Sequence, residues 1–377
     1  MEDNRSAIQN FTEEENCFSD SFNLDIDAKT GQTIAYVAIF FLSLVGNSLI
    51  VAVFYKERNL RTTVDFFILN MACSDFLFAL TVAPRRITEI LSSPLEWHVG
   101  GLLGEALCRV TYIVQDVSTA VSIESLVVIA VDRFRSIVFP LRPSFITPSV
   151  RGIIIILTWA LGFGFHAPYI YTWRLYHENK IYCIYRWSPF YVEESATKTY
   201  FLVLSFFLFI LPTVTLTVLY SIIVVRLQQC QNTVISYSNN LRNSWNRRNR
   251  NVLKTVIAVV VVFVFSWLPF NIFVYLNFFS WDLHPSCIAR TVLTYIVILA
   301  HANNAVNPYV IFTFSTNYRD GLKALFCVRK MQNRLTEEQV FTAMDFTKLE
   351  QKPKCLPRTT HYTEKNELSD GCFNTRL

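Results

Sequence analysis

Long apolar segments separated by short polar loops fill the middle of the chain. Five of them contain no Asp, Glu, Lys or Arg: residues 30–55, 152–173, 199–225, 255–281 and 291–318. Two more, 62–84 and 106–131, are mostly apolar. Because a helix needs about 20 apolar residues to cross the hydrocarbon layer of a bilayer, each segment is long enough to span it. The pattern predicts an all-α membrane protein with a seven-helix transmembrane bundle at 33–314.

The third predicted span differs from the others in its polar content. As a helix that rises about 1.5 Å per residue, the stretch from Cys108 to Arg133 covers about 38 Å, slightly more than the bilayer core of about 30 Å. Polar side chains within this stretch would cost free energy in contact with lipid, so we expect them to face the protein interior. This span is therefore predicted to be the central helix. Its polar residues are Gln115, Asp116, Ser118, Ser122 and Glu124.

The charges of the loops predict which face is outside. The first 33 residues hold eight acidic and two basic residues, whereas residues 226–254 hold six basic residues and no acid. Because Lys and Arg collect on the cytoplasmic side, the N terminus is predicted to be extracellular. Residues 1–32 are then a flexible extracellular arm, in which Asn4 and Asn10 are glycosylation acceptors.

The end of the chain is predicted to lie inside the cell. Residues 315–328 place apolar and basic residues on opposite sides of a short helix, which predicts an amphipathic eighth helix on the membrane surface, with Cys327 as a lipidation site. Residues 329–377 are polar and of mixed charge, and we interpret them as a disordered cytoplasmic tail. Thr375–Leu377 fit the carboxyl-terminal pattern that PDZ domains bind.

The composition excludes several classes of function. Hydrophobic residues make up 52% of the 377 residues and charged residues 17%, which is typical of a membrane protein. The net charge of +5 is a sum over two opposite faces, so it does not indicate nucleic-acid binding. The sequence has no phosphate loop, HExxH motif, CxxC pair or nucleophile elbow, so we do not expect an enzyme.

Four of the nine cysteines fall on the oxidising, outer side, where disulfides persist. Cys108 begins the third span and Cys183 lies in the long loop after the fourth, so a bridge between them would hold that loop over the mouth of the bundle. Cys17 and Cys287 are candidates for a second bridge, which would tie the N-terminal arm to the seventh span. Free thiols are the alternative for this second pair.

The first two spans each carry polar residues at membrane depth. Asn47 in the first span needs a hydrogen-bond partner, which we expect on the second span, where Asn70 and Asp75 lie. Asp75 has no adjacent base, so we expect a carboxyl group that is protonated, bound to a cation or hydrated. A purely structural, hydrogen-bonding carboxyl is the alternative.

Nearly every predicted span carries a motif of one protein family. In their order and spacing, these motifs resemble those of the rhodopsin-like (class A) G-protein-coupled receptors over roughly residues 33–327. The matching positions are Gly46-Asn47, the stretch from Asn70 to Asp75, Cys108, Asp132-Arg133-Phe134, Trp159, Pro212 with Tyr220, Phe263 with Trp267-Leu268-Pro269, and Asn307-Pro308.

The resemblance implies roles for residues inside the bundle. Arg133 resembles the arginine that leaves its neighbouring acid, Asp132, to contact the G protein, and Tyr220 belongs to the same coupling region. Trp267 resembles the aromatic residue beneath the ligand. A further set resembles the residues that hold an allosteric sodium ion, and all of its members carry oxygen atoms that suit a hard cation. This set is Asp75, Ser122, Asn303 and Asn307.

The same resemblance narrows the ligand. Gln115 stands where amine receptors carry an Asp, and His301 stands where opsins hold a Schiff-base lysine, so neither a monoamine nor covalent retinal is expected. The chain is similar to neuropeptide receptors of the neuropeptide Y, RFamide and tachykinin kind. The predicted ligand site is Gln115, Asp116, Glu193, Trp267, Phe270, Asn271, Val274 and His301. An interior histidine without a ligand contact is the alternative for His301.

Acidic residues near the predicted outer mouth indicate the charge of the ligand. A peptide with a basic residue would meet these carboxylates where they are partly desolvated, and there an ion pair is worth more than on open surface. Solvated acids with no ligand contact are the alternative. The acids are Glu89, Asp116, Glu193, Glu194 and Asp282.

Two positions depart from the family pattern at the inner face. Asn249 stands where the family often has a Glu that clamps the arginine, so we expect Arg133 to be held weakly and the resting state to leak. Ile311 stands where the family has a Tyr, which removes the hydroxyl group that would reach Tyr220 through water. Tyr309 cannot replace it, because two residues along a helix turn a side chain by roughly 200°. We expect weakened signalling.

The predicted function is a receptor that binds an extracellular peptide and activates a heterotrimeric G protein from the plasma membrane. Arrestin, a PDZ-domain protein and membrane lipid are further predicted partners. A lipid or small-amine ligand is the alternative within the family. An ion transporter or channel lined by Asp75, Asp116 and Glu124 is the alternative from another class, although the sequence contains no inverted repeat or charged ring.

Overall fold

Seven long helices account for most of the described part of the computed structural model. It describes residues 22–58, 60–92, 95–139, 146–189, 191–232, 239–281 and 286–326, with side chains except at 22–25 and 230–252. Six of the long helices are α1 (Phe22–Lys56), α2 (Thr63–Leu91), α3 (Gly101–Val138), α4 (Pro148–His166), α6 (Asn239–Phe279) and α7 (Cys287–Phe314). The remaining one, α5, joins Glu193–Ser205, a π-helical turn at Phe206–Ile210 and Leu211–Asn232. A shorter helix, α8, covers residues 316–326.

Six of the described helices are long and apolar enough to cross a membrane, and α7 is the long helix outside that group. It is 28 residues long, but four polar side chains lower the hydropathy of its inner half. All four are buried inside the protein, which is where a spanning helix can carry such groups. These residues are His301, Asn303, Asn304 and Asn307.

The helices pack in the order of the chain around α3. Helix α1 contacts α2 and α7, and α6 contacts α7, which closes the ring. Helix α3 packs against α2, α4, α5 and α6. These contacts confirm the prediction that the third span is the central helix. Of its polar side chains, Ser118 and Ser122 are buried inside the ring, whereas those of Gln115, Asp116 and Glu124 are half-buried.

Helix α1 begins at Phe22, so the predicted boundary between a flexible arm and the bundle at residue 33 was wrong. Hydropathy marks only the part of a helix that lies in lipid. The hydrogen bonds of a helix are internal, so the helix continues into water through Asp25, Asp27 and Lys29. Helix α6 likewise begins at Asn239, well before the uncharged segment that starts at residue 255.

Local sequence signals explain where several helices begin. At the start of α2, the Thr62 hydroxyl accepts from the Asp65 backbone N–H, and the Asp65 carboxylate accepts from the Thr62 backbone N–H at 2.9 Å. Helix α4 begins with Pro148 after the capping residue Thr147, and Ser286 caps α7. Side-chain oxygens at these positions satisfy N–H groups that have no partner within the helix.

A proline explains the irregular turn in α5. Pro212 lies two residues after the π-helical turn Phe206–Ile210 and offers no N–H to the carbonyl group one turn earlier. The helix therefore widens for one turn before it resumes. Such wide turns change the direction in which the side chains on either side point.

A β-hairpin covers the outer end of the bundle. Strands β1 (Trp173–His177) and β2 (Ile181–Tyr185) pair antiparallel after a single helical turn at Tyr169–Thr172. The predicted disulfide joins Cys183 of β2 to Cys108 of α3, with 5.8 Å between the Cα atoms. The sequence had indicated only a long loop at this place, and the strands were not predicted. The pairing of these strands depends on the disulfide and on the side chains beneath them. The residue pattern of a five-residue strand does not contain this information.

Candidate functional site

A buried carboxylate lies in the middle of the bundle. The Asp75 side chain is fully buried and accepts hydrogen bonds from Ser122 Oγ at 3.1 Å and Asn307 Nδ2 at 3.0 Å. These contacts join α2, α3 and α7, which are the three helices that the sequence had assigned to the sodium set. Ser74 Oγ lies 3.3 Å from Ser122 Oγ and extends the network along α2.

Several oxygen atoms around this carboxylate have unused acceptor capacity. Asn307 Oδ1 and Asn303 Oδ1 are buried and have no hydrogen-bond partner within the described part of the chain. Asn303 lies one turn before Asn307 on the same face of α7. A carboxylate, a hydroxyl group and unpaired amide oxygens make a donor set that fits a small hard cation.

Asn47 faces α7 rather than α2, so that prediction was wrong. Its Nδ2 donates to the Ser43 backbone oxygen at 2.9 Å and to the Asn304 backbone oxygen at 3.3 Å. The reason is a close approach of α1 to α7, since a Cβ at Gly46 would lie 3.0 Å from Pro308. The backbone carbonyl groups of α7 are therefore nearer to Asn47 than the polar side chains of α2.

Asn70 is fully occupied by α3 and α4. Its Nδ2 donates to Ser125 Oγ at 3.0 Å and Thr158 Oγ1 at 3.2 Å, and its Oδ1 accepts from Trp159 Nε1 at 2.9 Å. One amide thus joins three helices. This arrangement fixes the packing of α2, α3 and α4 below the Asp75 site.

At the inner end of α3, Arg133 is paired with its neighbour. Both Nε, at 3.1 Å, and Nη2 of Arg133 donate to Asp132 Oδ2. Asp132 is buried, and it is the acid that pairs with Arg133 among the described side chains. The side chain of Asn249 lies outside the described residues.

Tyr220 carries a buried hydroxyl group without a hydrogen-bond partner in the described residues. Ile311 packs in the same apolar cluster, so α7 offers no hydroxyl group from that position. Tyr309 points away, and its hydroxyl donates to the Leu42 backbone oxygen of α1 at 3.1 Å. The expected weakening of signalling by Ile311 stays a prediction.

Trp267 lies in an aromatic column on α6. Its ring is 6.5 Å from that of Phe263, which in turn is 6.1 Å from Phe209 of α5. Phe270 meets Trp267 edge-on at 5.7 Å. Movement of Trp267 would therefore be transmitted to the contact between α5 and α6.

Asn271 ties the same region of α6 to α5. Its Nδ2 donates to the Trp267 backbone oxygen at 3.0 Å, and its Oδ1 accepts from Ser205 Oγ at 2.8 Å. Ser205 directly precedes the π-helical turn of α5. Val274, the next predicted ligand residue, is half-buried about one turn above Asn271 and about two turns above Trp267 on α6.

Asp116 lies in the outer half of the bundle among aromatic rings. Its Oδ2 accepts from the Tyr169 hydroxyl at 2.7 Å, and its Oδ1 accepts from Gln115 Nε2 at 3.2 Å. The rings of Tyr200 and Tyr185 lie 5.9 Å and 6.1 Å from that of Tyr169. Among the contacts of the described residues, Asp116 has no cationic partner.

Glu89 was predicted to meet a basic group of the ligand, but two arginines in the preceding turn already bind it. Glu89 accepts from Arg85 Nη1 at 2.5 Å and from Arg86 Nη1 at 3.0 Å. These arginines were not among the predicted site residues. The sequence did contain a sign of them. Two adjacent arginines near the end of an apolar helix cost free energy unless an opposite charge or a ligand compensates them.

The other predicted acids also have partners or lie elsewhere. Glu193 Oε2 accepts from the backbone N–H groups of Trp187 at 2.9 Å and Ser188 at 3.3 Å. Glu194 pairs with Lys198 at 2.6 Å on an exposed surface. Asp282 lies outside the described residues. Among the acids of this group that the structure describes, Asp116 is the one without a cation or backbone N–H groups as partners.

His301 is an interior residue at the junction of α1, α2 and α7. It is buried, its Nδ1 lies 3.0 Å from the Tyr36 hydroxyl, and its ring meets that of Phe78 at 5.1 Å. These contacts match the alternative of an interior histidine rather than a ligand contact. A hydrogen bond to Tyr36 satisfies the imidazole where no water is expected.

Several predictions fall on residues outside the described ranges. Cys287 is disulfide-bonded, but its predicted partner Cys17 lies outside these ranges. The same holds for the glycosylation, lipidation and PDZ-binding positions. They are Asn4, Asn10, Cys327 and Thr375–Leu377.

Comparison with known proteins agrees with this geometry. Residues 46–310 match the family described as 7 transmembrane receptor (rhodopsin family). The chain is 28% identical over 332 residues to a QRFP-like peptide receptor of Branchiostoma floridae, covering 86% of this chain and 84% of that protein. It is 28% identical to Neuropeptide FF receptor 2 of Rattus norvegicus, covering 79% of this chain and 73% of that protein. It is 25% identical to Somatostatin receptor type 2 of Sus scrofa, covering 86% of this chain and 85% of that protein.

The family match covers the buried carboxylate of α2, the Asp132–Arg133 pair and the aromatic column of α6 within one stretch of sequence. These features belong to a multi-pass bundle whose polar groups run from the outer half to the inner end. The chain belongs to the rhodopsin family of seven-transmembrane receptors.

Proposed function

We propose that this receptor binds an extracellular peptide through a basic group of the peptide and activates a heterotrimeric G protein. Its place would be the plasma membrane, with the N terminus outside. The observation that carries the proposal is Asp116, a half-buried carboxylate whose hydrogen-bond donors, Gln115 and Tyr169, are both uncharged.

The surroundings of Asp116 suit a guanidinium or ammonium group. A carboxylate in a partly desolvated place binds a cation more strongly than one on open surface. The aromatic faces of Tyr169, Tyr185 and Tyr200 would add cation–π attraction. A basic side chain of the ligand would then displace or share the hydrogen bond that Tyr169 now donates.

The names of similar proteins support a peptide ligand. The relatives from Branchiostoma floridae and Rattus norvegicus are named as receptors for a QRFP-like peptide and for neuropeptide FF. The β-hairpin over the outer end of the bundle supports the same conclusion, since a surface rich in aromatic side chains suits a peptide more than a small amine.

The path from ligand to G protein would use the contact between α5 and α6. A ligand above Trp267 would bias the aromatic column and the Asn271–Ser205 hydrogen bond. Helix α6 contains Pro269, where a change of direction costs fewer hydrogen bonds. An outward position of its inner end would free Arg133 from Asp132, and the ligand would shift the population toward that form.

A sodium ion is proposed as an allosteric ligand of the resting form. Asp75, Ser122, Asn303 and Asn307 would hold it, because they supply a carboxylate, a hydroxyl and amide oxygens without other partners. The bound charge would stabilise the ionised form of Asp75 and hold α2, α3 and α7 together. Arrestin, a PDZ-domain protein at Thr375–Leu377 and lipid at Cys327 complete the proposed partners.

The test is a ligand screen on membranes that contain the full-length receptor. Neuropeptide FF and a panel of amidated peptides with basic residues would be compared with monoamines and lipids, and nucleotide exchange on purified G proteins would be measured. We expect a basic peptide to stimulate exchange. Asp116→Asn should raise its half-maximal concentration about 30-fold or more, since an uncharged amide leaves the basic group buried without a partner.

Glu194→Gln is the matched control, because its exposed pair with Lys198 contributes little. It should change the half-maximal concentration by less than about twofold. Stimulation by amines or lipids alone would contradict the peptide assignment. An equal effect of Asp116→Asn and Glu194→Gln would contradict the role of Asp116.

A further inference from the structure

Two adjacent arginines in α2 share one carboxylate. Arg85 Nη1 lies 2.5 Å from Glu89 Oε1, and Arg86 Nη1 lies 3.0 Å from Glu89 Oε2. Spacings of three and four residues place all three side chains on the same side of the helix. Two positive charges meet one negative charge, so this cluster holds an excess positive charge in the outer half of the bundle.

Neutral groups of α3 hold Arg85 in position. Its Nη2 donates to Gln115 Oε1 at 2.5 Å, and its guanidinium carbon lies 4.0 Å above the centre of the Tyr112 ring. The Tyr112 hydroxyl donates to Glu89 Oε1 at 3.2 Å. These contacts orient the guanidinium group but bring no second anion to it.

Both arginines keep an unused donor. The Nε atoms of Arg85 and Arg86 are buried and have no hydrogen-bond partner in the described ranges. The Arg85 side chain is 3% exposed, whereas that of Arg86 is 29% exposed. Arg86 is therefore the member that a ligand can reach. An excess charge with unpaired N–H groups in a poorly hydrated place is costly until an anion binds.

The geometry points to a carboxylate-binding subsite formed by Arg85 and Arg86, which takes an anionic group of the ligand. The planar fork of an arginine matches a carboxylate with two parallel hydrogen bonds, which an amide cannot reproduce. The anionic group is a carboxylate, from either an acidic side chain or a free carboxyl terminus of the peptide. This inference rests on the proposed function in that it assumes a peptide ligand.

The subsite lies next to the proposed cation site. Gln115 accepts from Arg85 through its oxygen and donates to Asp116 through its nitrogen. One amide side chain thus separates an anion-binding subsite from a cation-binding one. The ligand is therefore a peptide that carries a carboxylate and a basic group close together.

Small probes can test the subsite without the natural ligand. Purified full-length receptor in detergent would be heated with one of two probe pairs at millimolar concentration. N-acetyl-phenylalanine and its amide present a terminal carboxylate or its neutral analogue. N-acetyl-aspartate amide and N-acetyl-asparagine amide do the same for a side chain. A probe that binds the folded receptor raises its unfolding temperature by mass action.

We expect at least one charged probe to raise the unfolding temperature more than its neutral partner, and the pair that does so identifies the source of the carboxylate. Arg86→Gln should remove this difference, and Arg86→Lys should retain part of it, since it keeps the charge but loses the fork. The chosen position limits the risk of misfolding, because Arg86 is the more exposed arginine. Lys180→Gln, on the exposed hairpin, should leave the difference intact.

Equal shifts from the charged and neutral probes in both pairs would overturn the inference. So would a difference that survives in Arg86→Gln or that disappears in Lys180→Gln, because the anion would then bind elsewhere. The probes report binding alone, so failure of the proposed function gives a different result. A receptor that binds carboxylates through Arg86 but responds to no peptide would support the carboxylate subsite and contradict the proposed peptide ligand.

Discussion

The inner and outer halves of the bundle bury polar groups in different ways. In the inner half, Asp75 accepts from two neutral donors and Arg133 pairs with the adjacent Asp132. In the outer half, Arg85, Arg86 and Asp116 keep charges that no opposite charge of the described residues fully balances. The inner half thus combines a closed ion pair with one carboxylate that suits a small cation, whereas the outer half leaves charges of both signs for a ligand.

This difference indicates where the free energy of binding and signalling resides. A ligand gains most where it supplies the missing partner of a desolvated charge. The inner half contributes to signalling instead, because Arg133 of its ion pair can change partner when the helices move. We therefore expect substitutions in the inner half to reduce signalling and substitutions in the outer half to reduce ligand binding.

The largest effect is expected at the inner ion pair. Arg133→Ala should reduce ligand-stimulated nucleotide exchange to background, because it removes the group that would contact the G protein, while ligand affinity changes less than about threefold. Exchange assays and radioligand binding on the same membranes measure both quantities. Lys323→Ala on the exposed face of α8 is the control. Retained exchange in Arg133→Ala would break the separation between the two halves.

An intermediate effect is expected from the Asp75 site. The unfolding temperature of the purified receptor should be higher in sodium chloride than in potassium chloride of equal ionic strength, by about 2 °C or more, and Asp75→Asn should abolish the difference. Glu124→Gln removes a carboxyl group of α3 instead of α2 and should preserve the difference between the two salts. A sodium effect that persists in Asp75→Asn would show that the inner half does not depend on this ion.

The smallest effect is expected at Ile311. Ile311→Tyr supplies a hydroxyl group in the cluster that contains the unsatisfied Tyr220, and ligand-stimulated exchange should rise about threefold, the value of one modest hydrogen bond. Ile311→Phe adds the same ring without the hydroxyl group and controls for the cost of overpacking. Equal exchange in both variants would show that Tyr220 does not limit signalling.

The sequence predicted the membrane spans well but predicted partners less well. Hydropathy located the seven helices, because exclusion from water acts on each segment independently. It placed the start of α1 at residue 33 rather than at Phe22, since a helix does not end where lipid ends. The partner of Asn47 was wrong for a different reason, because the approach of α1 to α7 at Gly46 is a property of two distant segments.

The outer site shows the same limit more strongly. Asp116 and Gln115 were identified from their place on the central helix, and the structure brings them together. Glu89 was predicted to meet a basic group of the ligand, because the positions of the acids alone do not show which cations lie beside them in the fold. The arginines that bind it are only three and four residues away, so helical spacing could have revealed the pair.

By itself, the sequence determined the class of protein, the number of spans, the central position of α3 and the Cys108–Cys183 bridge. The spans follow from local physics, since apolar length acts on each segment where it stands. The central place of α3 and the bridge were expected because that helix carries polar residues at membrane depth and both cysteines fall on the oxidising side. Only the tertiary structure decided which charges remain unbalanced. Whether a buried group is satisfied depends on donors and acceptors from other helices, and their distances are set when the whole bundle packs.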